Sequence, residues 1–86
     1  MYNVILSKRA QKDAKLLKSA KLDNKAKDLL NSIAEDPFKN PPPFEFLVGN
    51  MRGALSRRIS YHHRLVYYVV EDKKTVHVVR MWSHYE

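Results

Sequence analysis

Cysteine is absent from the 86 residues, so no disulfide and no thiolate–metal site reinforces the fold. Small secreted domains are more often disulfide-stapled. Met1–Leu6 is too short for the apolar stretch of a secretory signal, and Lys8 ends it. No apolar run approaches the roughly 18 residues of a membrane span. The chain is therefore expected to be cytosolic, with no membrane partner. Glycine occurs twice, and there is no Walker A loop, no Gly-x-Ser-x-Gly elbow and no His-Glu-x-x-His. Nucleotide hydrolysis, acyl transfer and zinc proteolysis have no support, and no cofactor or metal is expected. His62 and His63 are neighbours without a third spaced ligand, a poor metal set. At this length the chain reads as one domain, residues 1–86.

Acidic residues are the scarce charge: 9 Asp and Glu stand against 16 Lys and Arg, a net charge of +7. For so small a domain this balance points to a polyanionic partner, against the plainer reading of a soluble basic surface. The cations are segregated. Residues 1–40 hold most lysines and only Arg9, whereas Arg52, Arg57, Arg58, Arg64 and Arg80 lie in the second half. Lysines on helices form a solvated face. The planar arginine fork fits phosphate oxygens two at a time, so a phosphate site is expected in the C-terminal half.

Periodicity implies an α+β chain. Tyr2–Leu6 reads as a strand, and Ser7 as a helix N-cap. Ala10, Ala14 and Leu17 share a face at helical spacing, as do Leu22, Ala26, Leu29, Leu30 and Ile33. The second pattern ends near Asp36, because Pro37 disfavours helical geometry before it. A short joint at Lys18–Leu22 implies an antiparallel helical hairpin. Asn40-Pro41-Pro42-Pro43 reads as a stiff, extended linker. A short strand at Phe46–Val48 and a turn at Gly49–Gly53 follow. Strands are then expected at Ala54–Tyr61, Arg64–Val70 and Thr75–Trp82, with turns at His62-His63 and Glu71–Lys74. The expected architecture is an N-terminal strand and a helical hairpin packed on one face of a mostly antiparallel, twisted sheet of about four to five strands. The other face is left for a basic RNA-binding surface.

Cleavage of RNA by internal attack needs a base for the 2′-OH, a cation for the growing phosphoryl charge and an acid for the leaving 5′ oxygen. Glu45, Arg64 and His84 are residues of the required types, and Arg58 offers a second phosphate contact. Each also has a plainer reading. Glu45 is a strand-edge carboxylate, Arg64 a rim ion-pair partner, and His84-Tyr85 a frayed end. His77 sits in an alternating strand pattern and is expected to face outward. Tyr61, Tyr67, Tyr68 and Trp82 are sheet and core aromatics, or one of them stacks on a base.

Two stretches resemble the YoeB/Txe branch of the RelE superfamily of bacterial type II toxins. One runs from Phe44-Glu45-Phe46-Leu47 through Ser56-Arg57-Arg58-Ile59 to His63-Arg64-Leu65-Val66-Tyr67. The family pattern has Pro-Glu-Pro-Leu, Ser-Arg-Arg-Ile and His-Arg-Leu-Val-Tyr at the same spacing. The other is the terminal His84-Tyr85. The resemblance implies a RelE-like, microbial-RNase-like fold and an endoribonuclease, an mRNA interferase that cuts mRNA in the ribosomal A site and inhibits translation. It implies Glu45 as base, Arg64 as phosphate stabiliser, His84 as acid and Tyr85 in support, with Arg57, Arg58 and Arg80 binding substrate. Implied partners are the ribosome with its mRNA, a cognate YefM/Phd-like antitoxin, and a second copy of the chain in a homodimer. Two departures from the family pattern stand out. Tyr61 and His62 precede His63-Arg64 where acidic residues are common. The tail Arg80-Met81-Trp82-Ser83-His84-Tyr85-Glu86 is two residues longer between arginine and histidine, which calls for a bulge or turn. The competing readings are a ParE-like, non-enzymatic poison of DNA gyrase and a simple RNA-binding module.

Overall fold

A computed structural model describes residues 1–83, the last by its backbone alone. Strand β1 (Asn3–Leu6) leads into helix α1 (Lys8–Ser19) and helix α2 (Asp23–Glu35), followed by β2 (Phe44–Phe46), β3 (Leu55–Arg58), β4 (Arg64–Val70) and β5 (Thr75–Ser83). The five strands lie in the order β1-β5-β4-β3-β2. Only β1 and β5 run parallel; the other neighbours are antiparallel. The helical hairpin carries the chain from one sheet edge to the other. Among the described residues, no helix is long and apolar enough to cross a membrane.

Local chemistry accounts for the element ends. Ser7 Oγ accepts the Ala10 N–H at 3.0 Å and caps α1. At the other end Leu22 N–H donates to the Leu17 carbonyl and Lys21 N–H to that of Lys18, the paired bonds that close a helix through a left-handed residue. That residue is Lys21, at φ 61°, so no glycine marks the break in the sequence. The core lies between the helices and one sheet face. Ala10, Leu17, Ala26, Leu29 and Ile33 meet Leu55, Leu65, Tyr67, Val76, Val78 and Met81.

Three expectations are corrected. The second-half sheet begins at Phe44 rather than Phe46, because Phe44 is the first residue after the prolines with an N–H to offer a neighbouring strand. Asn40–Pro43 bends instead of running extended. Strand β3 stops at Arg58 rather than Tyr61, and the turn is the five-residue loop 59–63. A two-residue hairpin turn favours residues that accept positive φ, and none from 59 to 63 adopts it. Ile59 and Ser60 N–H groups instead both donate to the His63 carbonyl, at 2.8 and 3.2 Å. Strand β5 carries the irregularity that the long tail called for. Tyr67 and Val66 pair with Val78 and Arg80, and Val66 and Arg64 pair with Arg80 and Ser83. Each interval holds one residue more on β5 than on β4, so two bulges bend this strand between Val78 and Ser83.

Candidate active site

Strand registry builds a cleft on the sheet face away from the helices. Glu45 on β2 stands opposite Ser56 on β3, and Arg58 on β3 stands opposite Arg64 on β4. Directly opposed residues share a face, so these four side chains converge. The cleft is about 200 Å³ and is lined by Pro43, Phe44, Glu45, Ser56, Arg58 and Arg64. Arg64 Nη1 lies 3.4 Å from Glu45 Oε1 and 3.4 Å from Ser56 Oγ. The Glu45 side chain is 68% exposed and that of Arg64 21%. An exposed pair at this separation contributes roughly 0–1 kcal/mol, so it opens at little cost to an incoming anion. Like charges directly opposed across two strands are unfavourable. Arg58 and Arg64 hold that relation, and among the described residues lining the cleft Glu45 is the single carboxylate.

The remaining arginines go elsewhere. Arg57 is 1% exposed, so its expected place among substrate-binding residues is corrected. Alternation along β3 turns Arg58 to the cleft and Arg57 to the opposite face. There its Nε donates to the Tyr67 hydroxyl at 2.9 Å. Nη2 donates to the carbonyls of Pro37 and Lys39, at 3.0 and 2.8 Å, and Nη1 to that of Pro42. The guanidinium carbon also lies 4.9 Å from the centre of the Phe44 ring. Tyr67 in turn donates to the Pro37 carbonyl at 2.7 Å. Burial pushes the Tyr67 phenol above its ordinary value of 10, against the lowering effect of Arg57. Arg80 Nε donates to Asp13 Oδ2 at 3.0 Å, at the β5 edge that α1 covers and apart from the cleft-lining set.

The aromatics separate as well. Tyr67 is buried, and Trp82 stacks on His63 with ring centres 4.0 Å apart. Tyr61 is 81% exposed at the tip of the 59–63 loop. Arg58 Nη1 donates to the Tyr61 carbonyl at 3.4 Å, and its guanidinium lies 6.0 Å from the Tyr61 ring centre. His77 is exposed on β5. His84 and Tyr85 lie outside the described residues. Strand β5 pairs Ser83, the last described residue, with Arg64 of the cleft.

Sequence reasoning passed over Ser56 and Asp13. Ser56 belongs to the quoted Ser-Arg-Arg-Ile stretch, and its signal was strand parity with Arg58. Asp13 is a buried carboxylate on the otherwise apolar stripe of Ala10, Ala14 and Leu17. A charge in that position needs an internal partner, which was a readable signal.

Residues 7–85 match the family model described as "YoeB-like toxin of bacterial type II toxin-antitoxin system". A Synechocystis protein named Toxin YoeB is 37% identical over 76 residues, covering 88% of this chain and 79% of its own length. The matched chain of a YoeB–YefM complex from Staphylococcus aureus superposes with a TM-score of 0.80 at 31% identity, with 99% of both chains covered. A YoeB dimer from the same organism gives 0.81 at 31% identity, with 98% of both covered.

Proposed function

The chain belongs to the YoeB-like toxins of bacterial type II toxin–antitoxin systems, and we propose that it is a ribosome-dependent endoribonuclease that cuts mRNA in the A site. The observation that carries this reading is the cleft itself. An exposed carboxylate, Glu45, stands 3.4 Å from Arg64, with Arg58 opposed in register to Arg64.

The reaction needs no group beyond those of the chain and its RNA. Glu45 takes the proton of a 2′-OH as O2′ forms its bond to the adjacent phosphorus. Arg64 releases Glu45 and, with Arg58, holds the phosphoryl oxygens as charge grows on them. The P–O5′ bond breaks and His84 gives its proton to O5′. The products are a 2′,3′-cyclic phosphate and a 5′-hydroxyl end. The acid role of His84 rests on the family resemblance of the terminal His84-Tyr85. Tyr85 takes the supporting role that the same resemblance implies. By likeness to the Staphylococcus aureus proteins, a YefM-like antitoxin holds the chain inactive, and the free chain pairs with a second copy. Its setting is the cytoplasm, where the ribosomes are.

The test is primer extension on an mRNA translated in a purified system, with a parallel tube without ribosomes. New ends inside the A-site codon, seen only with ribosomes, are expected. Glu45→Ala and His84→Ala are each expected to slow cleavage by about 10²–10⁴-fold, the usual contribution of one acid–base group, while remaining folded by circular dichroism. No new ends with folded protein would send the reading to gyrase poisoning or plain RNA binding, which supercoiling and filter-binding assays separate.

A further inference from the structure

We infer that Arg57 is a positioning residue for cleavage: it sets the place of Glu45 in the cleft by clamping the 37–43 linker that delivers the chain to β2. This rests on the nuclease reading above. Strand β2 is three residues long and lies at the sheet edge, so only β3 holds it from one side. The segment before it, Pro41-Pro42-Pro43, has no backbone N–H with which to anchor itself. Its carbonyls must find donors from elsewhere. Arg57 is such a donor. One guanidinium reaches Pro37 and Lys39 at the start of the linker and Pro42 at its end. Tyr67 binds both the Pro37 carbonyl and Arg57 Nε, which fixes the fork from behind. The Phe44 ring lies against the guanidinium, and Phe44 pairs with Arg57 across the ladder.

Phe44 and Glu45 are neighbours on a strand, so they face opposite ways. What holds Phe44 to Arg57 on the inner face therefore points Glu45 to the outer one. Arg57 touches neither cleft nor substrate and acts through the backbone of residues 42–45. Arg58 next to it takes the opposite role, so the arginine pair splits into one group that binds and one that positions.

Lysine keeps the charge but is a compact point donor without the fork, and it cannot span the carbonyls that Arg57 joins. Arg57→Lys is expected to lower kcat for A-site cleavage by about 10–100-fold, the scale of a small misplacement at a reacting group. Affinity for translating ribosomes is expected to stay within about twofold, the limit of additivity for separate sites. The deciding measurement is a double-mutant cycle in single-turnover cleavage, with every variant shown to be folded at the assay temperature. In the Glu45→Ala background Arg57→Lys is expected to have almost no further effect, because the group it positions is gone. A merely stabilising residue would not show that dependence, and full multiplication of the two losses would overturn the inference. Should Arg57→Lys fail to fold, Tyr67→Phe, which loosens the same clamp, takes its place in the cycle and is judged the same way. A wild-type protein that cuts nothing on ribosomes removes the nuclease reading, and this inference with it. A wild type that cuts while the losses multiply removes only the inference.

Discussion

Tyr61 is where this chain departs most visibly from the acidic residues common before His-Arg in its family. Its ring is exposed at the loop tip beside Arg58, with the His62 ring edge-on at 4.8 Å, whereas Tyr67 and Trp82 are engaged inside the molecule. An exposed phenol next to an arginine of the cleft offers a face for a nucleobase, since stacking accepts any base face. Tyr61→Ala is therefore expected to weaken binding of an uncleavable single-stranded RNA by about 1–3 kcal/mol, measured by fluorescence anisotropy. Tyr61→Phe keeps the ring and is expected to bind like the wild type. Equal losses in both variants would show that the hydroxyl, not the stack, carries the contact.

At the scale of elements, the β5 edge is the part of the sheet most in need of cover. Strand β1 pairs only with Thr75–Val78, so the backbone beyond it would face water unpaired. Helix α1 supplies the partners. Ser7 Oγ donates to the Val79 carbonyl at 3.0 Å, and buried Asp13 accepts the Met81 N–H at 2.9 Å as well as Arg80 Nε. On this edge the bulged stretch is thus held by a helix, while β4 pairs its other side. Hydrogen bonds to a charged group contribute about 1.5–3 kcal/mol. Asp13→Ala is expected to lower the melting temperature by about 10 °C for a domain of this size. A calorimetric change under about 2 °C would mean that Asp13 contributes little to holding the edge.

Across the whole molecule, the charges divide by face. Lysines 8, 12, 15 and 18 lie exposed on α1, while Arg58 and Arg64 line the cleft on the other side of the sheet. Net charge alone would make all of them equal partners of RNA. In the fold, Arg58 and Arg64 line the cleft and none of these four lysines does. The logarithm of affinity for single-stranded RNA falls with log salt by about 0.7 per phosphate neutralised. Arg58→Gln is expected to shrink that slope by about 0.7, whereas Lys12→Gln is expected to leave it unchanged. The reverse result would place the nucleic-acid track on the helices.

Much of this was readable from residue order. The 3.6-residue period of Ala10, Ala14 and Leu17, the alternation through β4 and β5, and the proline stop at residue 37 specify elements locally, and the observed order of elements follows from them. Glu45, Arg58 and Arg64 also meet in the cleft as their chemistry implied. Arg57 and Arg58 mark where local reading runs out. Two adjacent arginines in a strand must face opposite ways, but parity says only that they differ, not which one is inside. That choice belongs to the sheet, through the pairing of Phe44 with Arg57 and Arg64 with Arg58, and to linker carbonyls 15–20 positions away in sequence from the arginine that satisfies them. Contacts of that separation exist only once the layers have packed. The residue types were in the sequence, and packing decided which arginine lines the cleft and which one is buried against the linker.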